Sequence, residues 1–161
     1  MKKTKLRPIQ IVFCILTFAV MCLIFWFSCE NADDSSRTSG GITEFVSEHF
    51  VKGYHEMSVS QKLNSLNFVS HIVRKTAHFT IYTTLGFFAS CAVWKRKLIS
   101  DKSLYVLIFC VAYAASDEIH QIFVPGRAGM VRDVLLDSSG SITGILISFI
   151  FFMLLRKRTK Q

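Results

Sequence analysis

The chain lacks the short signatures that mark several large enzyme classes. It has no H-E-x-x-H, no G-x-S-x-G and no P-loop. Those absences remove the helix-borne zinc protease, the serine-hydrolase elbow and the nucleotide-cradling loop as readings. Its five cysteines, Cys14, Cys22, Cys29, Cys91 and Cys110, form no C-x-x-C pair, and four of them sit inside long apolar runs. A thiol in such a run acts as a small apolar group, so neither a disulfide framework nor a cysteine zinc site is expected. Acids are scarce, 11 against 19 lysines and arginines, for a net charge of +8.

Apolar residues are abundant. They make up 51% of the 161 residues, 15 of them Phe, and the mean hydropathy is +0.40. A bilayer core needs roughly 20 apolar helical residues to cross it. Residues 9–28 carry no charge; residues 134–155 carry only Asp137; residues 77–94 carry only the titratable His78. Residues 104–116 are uncharged but short, and reach spanning length only by continuing past Asp117. The expectation is an all-α integral membrane protein with one domain over 1–161. It is a four-transmembrane-helix bundle with spans at about 9–28, 77–94, 104–123 and 134–155. An outer amphipathic helical loop covers 29–75. Cys29 follows the first apolar run, but Trp26-Phe27-Ser28 is not the small-residue sequence of a lipoprotein site, and no A-x-A cleavage site follows. The first run is therefore read as a retained helix.

The positive charge is not spread as a nucleic-acid surface would need. Lys2, Lys3, Lys5 and Arg7 precede the first run, Lys95, Arg96, Lys97 and Lys102 follow the second, and Arg156, Lys157, Arg158 and Lys160 follow the last. In a four-span topology all three flanks fall on one side. The positive-inside bias then predicts a multi-pass protein of the inner or plasma membrane with both termini cytoplasmic. Membrane lipids, not nucleic acid, are the expected partners.

In the outer loop, residues 30–41 are polar and end in Gly40-Gly41, which reads as irregular chain. Ile42, Phe45, Val46, His49 and Phe50, then Val59, Leu63, Leu66 and Val73, recur at helical spacing. Two short amphipathic helices on the outer leaflet are expected there, with Gly53 as a stop. Lys75, His78, Tyr82 and Gly86 share one face of the second span. Gly86 would let a neighbouring backbone approach.

The densest polar stretch is 116–137, with four acids, His120, Gln121, Arg127 and Arg132 between apolar segments. Charge beside a bilayer is costly, so this stretch needs a reason. If the third helix runs through Gln121, Glu118 and Asp117 lie three and four residues before it on one face. Pro125-Gly126 reads as a turn, with positive φ permitted at glycine. Asp133 and Asp137 lie one turn apart on the fourth helix, and Gly140 and Gly144 form a small-x-x-x-small pattern. Asp133 also suits a first helical turn. His120 points elsewhere, toward the headgroup region.

Three readings of the cluster stay open. In the structural one, Arg127 or Arg132 pairs with Asp133 or Glu118 and pins the helices. In the binding one, arginine engages an anionic headgroup or lipid-linked phosphate. In the catalytic one, His78, Glu118 or Asp133 acts as base, with Glu118, Asp133 and Asp137 as a metal set. The absence of evident inverted repeats argues against a self-contained transporter.

Three blocks together carry a family resemblance: Arg74-Lys75-x-x-His78-Phe79-x-x-Tyr82-x-x-Leu85-Gly86; Asp117-Glu118-x-x-Gln121-x-Phe123-Val124-Pro125-Gly126-Arg127-x-Gly129; and Asp133-Val134-Leu135-x-Asp137-x-x-Gly140-x-x-x-Gly144. In order and spacing the chain resembles the VanZ-like family. The resemblance implies a bacterial membrane protein that binds or modifies a cell-envelope component, such as a lipid-linked precursor, and reduces susceptibility to teicoplanin-type glycopeptides. A membrane-embedded enzyme on a lipid or cell-wall precursor, and a structural or interaction subunit of an envelope complex, are the alternatives. The site positions it implies are Lys75, His78, Tyr82, Asp117, Glu118, Gln121, Arg127, Asp133 and Asp137. It names no cofactor, metal or oligomeric state. Two departures stand out. Ser28-Cys29-Glu30-Asn31 replaces a frequent Ser-Ser-Gln, and Asp137 stands where many relatives have Asn.

Overall fold

Helix boundaries follow local signals. Ser58 and Gln61 form a reciprocal capping box at one start, Asn31 accepts from the Asp34 N–H at another, 2.8 Å away, and Ser100 caps a third. The computed structural model describes residues 8–93 and 100–158. Among them are five α-helices and one 3-10 turn, with no strand: α1 (Pro8–Cys29), α2 (Ala32–Phe50), the turn Tyr54–Glu56, α3 (Val59–Ala92), α4 (Asp101–Gln121) and α5 (Val131–Arg158). Lys2, Lys3, Lys5, Arg7, Lys95, Arg96, Lys97 and Lys160, on which the topology expectation leans, lie outside the described residues.

The all-helical class is as expected, but the span count differs. Two helices are long and apolar enough to cross a membrane, Pro8–Cys29 and Val131–Leu154. α3 and α4 fall short of that measure. His78 and several threonines dilute α3, and Asp117 and Glu118 fall within α4.

The outer loop also differs from its sequence reading. Residues 32–41 are helical, and Gly40 and Gly41 lie inside α2. Serine and threonine hydroxyls at 39, 43 and 47 bond back to carbonyls one turn earlier, so this polar segment meets its hydrogen-bonding needs locally. Thr43 and Ser47 form the buried face of α2, while Ile42, Phe45 and Phe50 point outward. The second expected amphipathic helix is not separate. It runs without a break into the 77–94 segment as α3, 34 residues long, a rod of about 51 Å at 1.5 Å per residue. No proline or glycine interrupts it before Gly86.

α3 packs against all four other helices, and most extensively against α5. The buried cluster includes Val20 and Ile24 from α1, Tyr82, Leu85 and Ala89 from α3, Val106, Cys110 and Ala114 from α4, and Ile145 from α5. Small residues set the α3–α5 distance. A Cβ at Gly86 would strike the Ser141 carbonyl, and one at Gly144 the Thr83 carbonyl and, at 2.6 Å, the Phe87 nitrogen. One at Gly140 would lie 2.5 Å from the Phe79 oxygen. The exterior is apolar over long stretches: Ile15, Phe18 and Trp26 on α1, Tyr105 and Ile108 on α4, and Leu135 and Ile150 on α5 are all exposed. Asp117, Glu118, Gln121, Asp137, Ser141 and Ser148 are buried.

Candidate functional site

The close α3–α5 contact aligns the polar stripe of α3 with the first two turns of α5. Lys75 forms an ion pair with Asp133 at the rim. One turn deeper, His78 Nδ1 lies 3.7 Å from Asp137 Oδ2, beyond ordinary hydrogen-bond length. One further turn down, Tyr82 is wholly buried, and its hydroxyl has no hydrogen-bond partner. Ser141 Oγ donates to the Tyr82 carbonyl at 3.4 Å, closing the stripe.

α4 supplies the third wall. Asp117 is buried and accepts from Gln121 Nε2 at 3.2 Å, the i to i+4 pairing that helical spacing predicts. His78, Asp117 and Asp137 each place one ligand-type atom within 4.8 Å of the others. Asp137 has no exposed surface, and neither of its carboxylate oxygens has a hydrogen-bond partner. Buried polar atoms are nearly always paired, so two open oxygens on one carboxylate are a strong anomaly.

The remaining expected site residues go elsewhere. Glu118 turns away from Asp117 and accepts from the Met130 N–H at 2.8 Å. It thereby caps the start of α5, where the helix dipole favours an anion; its Oε1 is buried without a partner. Gly129 allows this approach, because a Cβ there would lie 2.5 Å from the Glu118 carbonyl oxygen. Gly126 takes φ 75° in the turn between α4 and α5. Arg127 donates from Nε to the Glu30 carbonyl at 3.0 Å and from a terminal nitrogen to the Phe27 carbonyl at 3.3 Å. Burial and, secondarily, the neighbouring Arg74 hold its pKa below the ordinary arginine value. His120 packs on the end of α1, 3.4 Å from Ser28 Oγ and with its ring 5.0 Å from that of Phe25.

Two sequence expectations are therefore corrected. The pinning ion pair is Lys75–Asp133, not an arginine with Asp133 or Glu118, because Arg127 is spent on the open carbonyls that end α1. The acid set that converges is Asp117 and Asp137 with His78, not Glu118, Asp133 and Asp137. Asp117 and Glu118 are adjacent on α4, so about 100° of helix separates them and they serve different neighbours.

The rim pair yields a prediction. Lys75→Glu or Asp133→Lys alone should lower the amount of folded protein in membranes, and the double exchange should restore it. A double variant no better than either single would remove the pair as a contributor. The effect is modest, about 1 kcal/mol, because both side chains keep some solvent access.

The sequence matches the VanZ/LLP1 family over residues 13–152. The chain belongs to this family. The match covers most of its length, including all three blocks and every residue of the polar site. No curated protein and no solved structure matches it.

Proposed function

We propose that this VanZ/LLP1 family member is a one-domain, four-span protein of the bacterial cell membrane with both termini cytoplasmic. α1, the C-terminal half of α3, α4 and α5 cross the bilayer. The polar site opens toward the outer leaflet and binds an anionic cell-envelope component, a lipid or lipid-linked precursor. Through that binding the protein lowers susceptibility to teicoplanin-type glycopeptides.

The membrane reading is supported by the inverted surface. Large apolar side chains face outward on α1, α4 and α5 while carboxylates and hydroxyls are buried, the arrangement expected when the solvent is lipid. One observation carries the site reading: Asp137, fully buried with neither oxygen hydrogen-bonded, faces His78 at 3.7 Å and Asp117. Packing alone gives no reason to hold such a group there. Arg127 keeps its charge while donating to neutral carbonyls, and with the neighbouring Arg74 it supplies positive charge for an anion.

A catalytic version uses the same groups. His78 keeps 27% of its side chain exposed while Asp137 keeps none. That places an imidazole between solvent and a buried carboxylate, as a general base with an orienting acid would be.

The test is a His78→Ala chain expressed at the normal membrane level in a strain lacking the native gene. Teicoplanin susceptibility should return to that of the deletion strain. Unchanged protection by that variant would sink the site reading and leave a structural or subunit role.

A further inference from the structure

We propose that His78, Asp117 and Asp137 together hold one divalent metal ion of the manganese or zinc type. The inference rests on the reading that this polar site is the functional one, and adds the ion that completes it. Three helices each contribute one ligand: His78 from α3, Asp117 from α4 and Asp137 from α5. Their donor atoms lie within 4.8 Å of one another. Metal bonds of about 2.1 Å draw such atoms to within about 4 Å, so small side-chain rotations close the set.

Charge gives the first independent argument. Asp117 and Asp137 are buried close together, and carboxylates so placed repel unless one keeps a proton or a cation lies between them. His78 beside them carries at most one positive charge for two carboxylates, and two further basic side chains hold other partners. Lys75 pairs with Asp133, and Arg127 donates to the carbonyls of Phe27 and Glu30. A divalent ion neutralises both carboxylates at once.

The second argument is the unmet hydrogen bonding. Both Asp137 oxygens and the Tyr82 hydroxyl are buried without hydrogen-bond partners, with His78 3.7 Å from one of those oxygens. An ion would use the first, and a water or anion on the ion would use the second. An imidazole with two carboxylates is a hard-to-borderline ligand set, suited to Mn²⁺ and Zn²⁺ and unsuited to Cu⁺. Three protein ligands leave open coordination positions for a phosphate oxygen or a water, as in catalytic and not in closed structural sites. Ligation also explains why the ring of His78 is held against α5 without a direct hydrogen bond to it.

The experiment uses the full chain in nanodiscs, stripped with chelator and titrated with Mn²⁺, a probe that thiols such as exposed Cys14, Cys22 and Cys29 bind poorly. One tightly held Mn²⁺ per chain is expected by electron paramagnetic resonance, displaced by Zn²⁺. His78→Ala and Asp117→Ala should each weaken it on the order of tenfold or more, since even outer-shell changes cost that much. Glu44→Gln, at an exposed acid of α2, should leave it unchanged. Should a ligand variant fail to fold, the unmutated chain still decides: pulsed measurements should detect coupling from one imidazole nitrogen to the bound Mn²⁺. Mn²⁺ bound without nitrogen coupling, bound equally by all variants, or not retained at all would overturn the site. No antibiotic or lipid enters this assay. A chain that binds Mn²⁺ but gives no protection therefore sinks the envelope reading alone, and a protective chain without Mn²⁺ sinks the metal alone.

Discussion

Gly144→Val should eliminate the protein from membranes. A Cβ at this position would sit against the Thr83 carbonyl and 2.6 Å from the Phe87 nitrogen, both backbone atoms of α3. Backbone cannot rotate aside as a side chain can, so the whole α3–α5 interface must open. Ordinary overpacking costs about 1–3 kcal/mol. Here the clash adds to the loss of close contact along the neighbouring Gly86–Ser141 and Gly140–Phe79 crossings. Gly144→Ala should already reduce accumulation, with Gly144→Val reduced to background. Quantitative immunoblotting of membrane fractions measures both, with Gly41→Ala as the control, since nothing lies within 4 Å of a Cβ there. Normal levels of Gly144→Val would mean that the helices do not meet along this line.

Asp137→Leu should do the opposite to stability and remove function. In chelator, the wild-type chain keeps a buried carboxylate with two unmet oxygens. Asp137 also lies close to the buried Asp117, and removing one of two neighbouring buried acids relieves their repulsion. The purified variant should therefore melt higher than the stripped wild-type chain, yet give no protection against teicoplanin. Added Mn²⁺ should raise the melting temperature of the wild-type chain only. A variant that melts well below wild type in chelator would show that Asp137 is a structural member of the helix contact. The opposed signs make this comparison more informative than loss of activity alone, because misfolding cannot produce them.

What the sequence disclosed depended on whether an effect was local to one helix. The stripe Lys75, His78, Tyr82 and Gly86 was legible because helical period alone places those residues on one face, and all four meet α5. The Gly126 turn was legible from its dipeptide, and the close approach at Gly140 and Gly144 from small-residue spacing. The choice between Asp117 and Glu118 was not legible. It depends on how α4 is rotated relative to α5, which no pattern within α4 encodes. The partners of Arg127 are hidden from sequence for a related reason. They are the carbonyls of Phe27 and Glu30, and a carbonyl leaves no mark on residue identity. Residues 32–41 of α2 read as irregular chain because serine, threonine and glycine have weak helical preference. Asn31 capping, hydroxyl back-bonding and contact with α3 outweigh that preference. Four spans were expected from apolar runs, and two helices meet the measure alone. The other two carry His78 and Asp117, two of the three residues that converge at the site.

The Arg127 contacts bear on how the chain is made. Arg127 follows Glu30 by 97 residues and Phe27 by 100, so the carbonyls ending α1 wait for their partner until most of the chain has left the ribosome. His120 reaches Ser28 across 92 residues, and Tyr113 reaches the Met21 carbonyl across the same separation. α1 thus precedes the other described helices in synthesis, yet its end is fastened only once the α4–α5 turn arrives. A nascent chain halted before the α4–α5 turn would present that end unsealed, and quality-control proteases would meet it in that state.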